Sequence, residues 1–142
     1  MLSCLGAMFA GGKASGVYPS DTAEQFQYKC HHSRSSIVCV ESLEHVKLVG
    51  KVVKDLPYLK AIAVWGANPT EDVIGHVKVL SWSQFMSKAD GVSEAQLDER
   101  IKLIKPGHPC SLIYTSGTST FITLLFFAKE NKQILTILLL SL

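Results

Sequence analysis

The chain has 142 residues, enough for one domain with a real core and few for two. Hydrophobic residues make up 47% and charged residues 18%, which excludes a disordered or fibrous chain. Lys and Arg number 14 against 12 Asp and Glu, a net charge of +2 with no basic cluster, so nothing in the charge points to a nucleic-acid partner.

The opening "MLSCLGAMFAGGKASG" is mildly apolar but lacks the basic start of a secretory signal, and Gly6, Gly11 and Gly12 interrupt it. It reads as the end of a helix, followed by a short extended piece from Gly16 to Pro19. "SDTAEQFQYKCHHS" is predicted to be helical, with Asp21 and Glu24 spaced like a capping box. "SSIVCVE" is a short, β-branched apolar run, as expected of a strand covered on both faces. "SLEHVKLVGKVVKDLP" sets Leu43, Val46, Val49 and Val53 at helical spacing until Pro57 stops it.

"YLKAIAVWG" is again strand-like, "ANPTEDVIG" reads as a loop, and "HVKVLSW" alternates weakly. "SWSQFMSKADG" and "SEAQLDERIKLIKPG" carry helical patterns, the second with Ser93 as its N-cap. Asp98, Glu99 and Arg100 on that helix read as a solvated face, and Trp65 and Trp82 as core or interface aromatics. "CSLIYTSGT" is the last clear strand, running into a turn. Strands alternating with helical segments predict an α/β fold, with a mainly parallel sheet and flanking helices.

From Phe121 the pattern changes. "FITLLFF" and "ILTILLLSL" are separated by "AKENKQ", and neither run reaches the roughly 20 residues a membrane helix needs. The chain therefore divides into a domain over 1–120 and a divergent apolar tail over 121–142. The tail is expected to integrate poorly with the sheet, and its deletion to improve solubility.

The turn Tyr114-Thr115-Ser116-Gly117-Thr118-Ser119-Thr120 is the most informative stretch for chemistry. Small hydroxyl residues around a glycine, just after a strand, allow close backbone approach and offer several donors to phosphate oxygens. A turn without a ligand has the same composition. Gly50-Lys51 is no Walker loop, because Val52 follows where Ser or Thr belongs, and Ser116 lacks the frame of a nucleophile elbow. Cys4, Cys30, Cys39 and Cys110 form no CxxC pair and read as reduced, mostly buried thiols. Cys30-His31-His32 with Cys39 lacks the second close ligand pair of a zinc site. His108 and Cys110 read as loop and core.

The strand and turn "LIYTSGT" resembles the phosphate-binding signature of the AMP-forming adenylate-forming enzymes, which include acyl-CoA synthetases and luciferase. That signature reads roughly Y-T-S-G-T-T-G-x-P-K-G. "GAMFAGGKASGVYPS", "SIVCVE", "LPYLKAIAVWG" and "SWSQFMSKAD" follow the family's order, and their wording is most similar to long-chain acyl-CoA synthetases of the bubblegum type. The resemblance spans about Met1 to Thr118.

By that resemblance Thr115, Ser116, Gly117 and Thr118 belong to the loop that grips the phosphates of ATP, with Ser119 in place of a threonine. Thr120 stands where the family has glycine, and the following proline, lysine and glycine are absent; Lys129 is too distant to stand in. The resemblance implies a large N-terminal adenylation domain, seen here in part. It implies a reaction that joins a long-chain fatty acid to CoA through an acyl-adenylate, with ATP and Mg²⁺. It also implies a cytoplasmic protein with peripheral contact at the endoplasmic reticulum membrane; oligomeric state is not implied. The expectation is a truncated form with an unrelated tail, inactive alone, with no catalytic residue or metal ligand assigned. The rival reading is a non-enzymatic α/β piece that binds a partner, and a flavodoxin-like nucleotide binder is weaker for want of any flavin-marking residue. The loop is expected to follow a central strand and to face its backbone N–H groups into a cleft.

Overall fold

The computed structural model describes residues 2–115 and 136–140. Helix α1 (Leu2–Phe9) leads into strand β1 (Lys13–Val17), then α2 (Ala23–Ser33), β2 (Ile37–Val40) and α3 (Leu43–Val52). Strands β3 (Ala61–Val64), β4 (Val73–Ile74) and β5 (Val77–Ser81) precede α4 (Trp82–Met86) and α5 (Glu94–Lys102). Two further strands, β6 (Ser111–Leu112) and β7 (Thr136–Leu140), complete a seven-stranded sheet in the order β4-β5-β3-β2-β7-β1-β6. Every pairing is parallel except that of β4 with β5. The α/β reading with a mainly parallel sheet and flanking helices therefore holds.

Side-chain alternation explains the two covered faces. On β2 and β3, Val38, Val40, Ile62 and Val64 point to one side and are fully buried with Phe26 of α2 and Val46 and Val49 of α3. Burying each such side chain contributes roughly 1.5–3 kcal/mol, so this layer dominates the core. The alternate residues Cys39 and Ala63 meet Ala7 of α1 on the opposite face, with Ile37, Trp82 and Phe85 packed at its margin. Small residues there bring α1 close to the sheet.

Turn chemistry fixes where the elements start. The cap of α2 is Thr22: its Oγ1 accepts from the Gln25 N–H at 3.3 Å, while Gln25 Oε1 accepts from the Thr22 N–H at 2.9 Å. The capping box therefore lies one residue beyond the expected Asp21–Glu24 pair, and Asp21 is left for a different task. Ser93 caps α5 as predicted, with Gln96 completing a box. At Gly66, just past β3, a Cβ would sit 2.5 Å from the Glu41 carbonyl oxygen that accepts the Gly66 N–H. That close approach after two adjacent strands requires glycine.

Three expectations are corrected. The tail, expected to integrate poorly, supplies β7, which lies between β1 and β2 with Leu138 in register with both Ser15 and Val38. Two strands consecutive in the chain leave one strand position between them, and backbone pairing on both edges holds β7 there. The segment read as a loop before His76 contains β4, which turns at Gly75 (φ +61°) into β5. Cys110 is exposed rather than core, while Cys30 and Cys39 are buried. Trp65 is 47% exposed. No helix among the described residues is long and apolar enough to cross a membrane.

Candidate functional site

Because β1, β2, β3 and β6 run the same way, their carboxyl ends deliver Tyr18, Glu41, Trp65 and Thr115 to one edge of the sheet. In open parallel sheets ligands bind outside those ends. Thr115 is exposed there. Ser116, Gly117, Thr118 and Ser119 lie outside the described residues. The strand that leads to them, β6, is an edge strand paired with β1 rather than the central strand expected. The orientation of the loop's backbone N–H groups likewise lies outside the described residues.

The residue before Thr115 is tied to α2 and to the segment that follows β1. The Tyr114 hydroxyl lies 2.9 Å from His32 Nδ1 and donates to the Lys29 carbonyl at 3.3 Å, both on α2. One hydroxyl proton serves both contacts when His32 Nδ1 donates and the Lys29 carbonyl accepts. The Tyr114 carbonyl accepts from the Tyr18 hydroxyl at 3.4 Å. Burial, and secondarily the neighbouring Tyr28, push the Tyr114 hydroxyl above the ordinary phenol range.

Lys29 organises the same corner. Its ammonium pairs with Asp21 at 2.5 Å and lies 4.9 Å from the ring centre of Tyr18 and 5.8 Å from that of Tyr114. Asp21 Oδ2 also accepts the Tyr18 N–H at 2.9 Å. Both charged side chains are almost wholly buried, so each needs the other. The rings of Tyr28 and His32 stack at 5.7 Å, and His32 meets Tyr114 edge-on at 5.8 Å. Sequence reasoning missed this cluster because its members lie up to 96 residues apart; the one local signal is the Asp21–Lys29 spacing.

Open depressions border this corner and the carboxyl edge of the sheet. One of about 580 Å³ is lined by Gln27, Tyr28, His31, His32 and Asp55. Another of about 240 Å³ lies at the carboxyl end of β3, beside Trp65, Asn68 and Trp82. Cys30 points into the core while His31 and His32 lie on the surface, so the three do not converge on one point. Among the described residues no group of three His, Cys, Asp or Glu side chains is arranged to hold a metal ion.

The sequence as a whole settles the family. The family model for AMP-binding enzymes matches residues 1–120. This chain belongs to the AMP-binding enzyme family. It is 35% identical over 115 residues to the long-chain-fatty-acid–CoA ligase ACSBG2 of Xenopus laevis, a match covering 81% of this chain and 15% of that protein. It is 32% identical over 117 residues to the ligase ACSBG1 of Rattus norvegicus, covering 82% and 16% of the two chains. The human ligase ACSBG1 is 31% identical over 117 residues, with coverage of 82% and 16%. The chain thus spans about one sixth of the length of the curated relatives it matches. No solved structure matches it significantly. Within this family, the mainly parallel sheet, with β6 leading towards Thr115, is the α/β fold of an AMP-binding domain.

Proposed function

We propose that this chain forms part of the adenylation domain of a long-chain-fatty-acid–CoA ligase, in which Thr115 to Ser119 contact the phosphates of ATP. The observation that carries the reading is the exposed Thr115, leaving a parallel strand at the ligand-binding edge of a sheet in an AMP-binding family member. Four hydroxyl side chains and a glycine suit phosphate oxygens, which take short donors and close backbone N–H groups. The reaction proposed for the whole enzyme joins ATP, a long-chain fatty acid and CoA into acyl-CoA, AMP and pyrophosphate. Mg²⁺ enters with the nucleotide and offsets phosphate charge; no residue of this chain is assigned to it. Contact with the endoplasmic reticulum membrane belongs to the same proposal.

The loop departs from the family pattern at Thr120, with no proline, lysine or glycine after it. The chain by itself is therefore proposed to leave the site unfinished. Transplanting residues 1–118 into the matched stretch of the rat ligase tests both points. The chimera is expected to form palmitoyl-CoA, whereas the 142-residue chain alone gives only background ATP–pyrophosphate exchange. Ser116→Ala with Thr118→Ala in the chimera should lower kcat/KM by about 10²–10³, the usual loss when donors to developing charge are removed. An unchanged rate in the doubly substituted chimera would remove the phosphate-loop assignment.

A further inference from the structure

Strand β6 is too short to hold its own end. Only Ser111 and Leu112 pair with β1, and the next residue, Ile113, is 74% exposed. A two-residue edge strand with an unpacked residue after it should fray at low energetic cost. Yet the chain must leave the sheet in a set direction for Thr115 to lie at the edge where ligands bind.

We propose that Tyr114 is the positioning residue that sets this direction, through a clamp built from Tyr18 and Asp21 after β1 and Lys29 and His32 on α2. Three different groups of Tyr114 are held. Its hydroxyl is fixed on α2 by His32 and the Lys29 carbonyl, its carbonyl takes the Tyr18 hydroxyl, and its ring lies beside the Lys29 ammonium. Those partners are themselves fixed by one carboxylate, since Asp21 takes both the Lys29 ammonium and the Tyr18 N–H. Restraint at hydroxyl, ring and backbone leaves little freedom at the last residue before Thr115. The inference rests on the nucleotide reading only for what the loop binds; the clamp itself stands on these contacts.

Hydrogen exchange on the full chain, with and without MgATP, separates the two. Without nucleotide, Tyr114→Phe should speed exchange over residues 111–115 by roughly three- to tenfold, the range expected from one lost hydrogen bond. Residues 61–64 of β3 should exchange at the unmutated rate. His32→Ala should act like Tyr114→Phe, and His32→Asn, whose amide group again reaches the hydroxyl, should restore slow exchange. Unchanged exchange over 111–115 in Tyr114→Phe would overturn the clamp, as would faster exchange spread equally through β3. Failure of His32→Asn to restore protection would also count against it. If MgATP protects no part of the unmutated chain, the nucleotide reading falls, and the rates without nucleotide still decide the clamp.

Discussion

At the scale of single residues, burial sets chemistry more firmly than residue type does. Cys30 and Cys39 lie in the core, and desolvation pushes both thiols above their ordinary range, Cys30 far above it, with hydrogen bonds to Ser35 and Ser3 offsetting only part. Cys110 is exposed beside β6. A thiol reagent at pH 8 should therefore modify Cys110 quickly and reach Cys30 and Cys39 only on unfolding, as peptide mapping would show. The pH dependence follows in sign. The folded chain keeps these protons to higher pH than the unfolded chain does. Their contribution is fully present below about pH 8.5 and is lost as pH rises above it, by up to about 1.4 kcal/mol per unit for each thiol. Denaturant titrations between pH 7 and 10 should show that decline, reduced in Cys30→Ala; a flat profile in the unmutated chain would contradict it.

Among elements, β7 changes the account most. Its backbone pairs with β1 over Lys13–Val17 and with β2 over Ile37–Cys39, so both neighbours depend on it for ladder partners. Leu138→Pro removes a backbone donor from the middle of this strand and should destabilise the fold by about 3 kcal/mol or more. Deleting residues 136–142 should lower the yield of soluble protein, because it leaves two unpaired strand edges facing each other. Soluble deletion protein with an unchanged thermal transition would show the pairing to be dispensable. From sequence, "ILTILLLSL" offered no such placement. Its apolar run fits a strand or a helix equally, and the slot it fills is formed by strands 100 to 123 positions away.

Over the whole molecule, what was legible follows the range of the interactions. β2, α3 and β3 could be read because their patterns are local: continuous β-branched runs, a helical stripe and Pro57. The cap of α2 was misplaced by one residue because Asp21 and Thr22 are both good caps, and Lys29 decides between them by engaging Asp21. The assignment of Thr115 to Ser119 as a phosphate loop comes from family resemblance alone and stands as a proposal. The Tyr18, Lys29, His32 and Tyr114 cluster was not legible, since it exists only once β1, α2 and β6 are side by side. The edge position of β6 was hidden for the same reason: strand order is a property of the assembled sheet.

The claim at the centre of this account is that the residues after β6 hold nucleotide phosphate. Equilibrium dialysis of the 142-residue chain with labelled ATP and Mg²⁺ tests it most directly, run beside the Ser116→Ala, Thr118→Ala double variant. Binding should be weak, with a Kd on the order of 1 mM, about 4 kcal/mol of free energy from a few phosphate contacts. Binding should be competed by inorganic triphosphate and lost in the double variant. ATP binding that survives both substitutions, or no binding in a chain that is folded by circular dichroism, would contradict it.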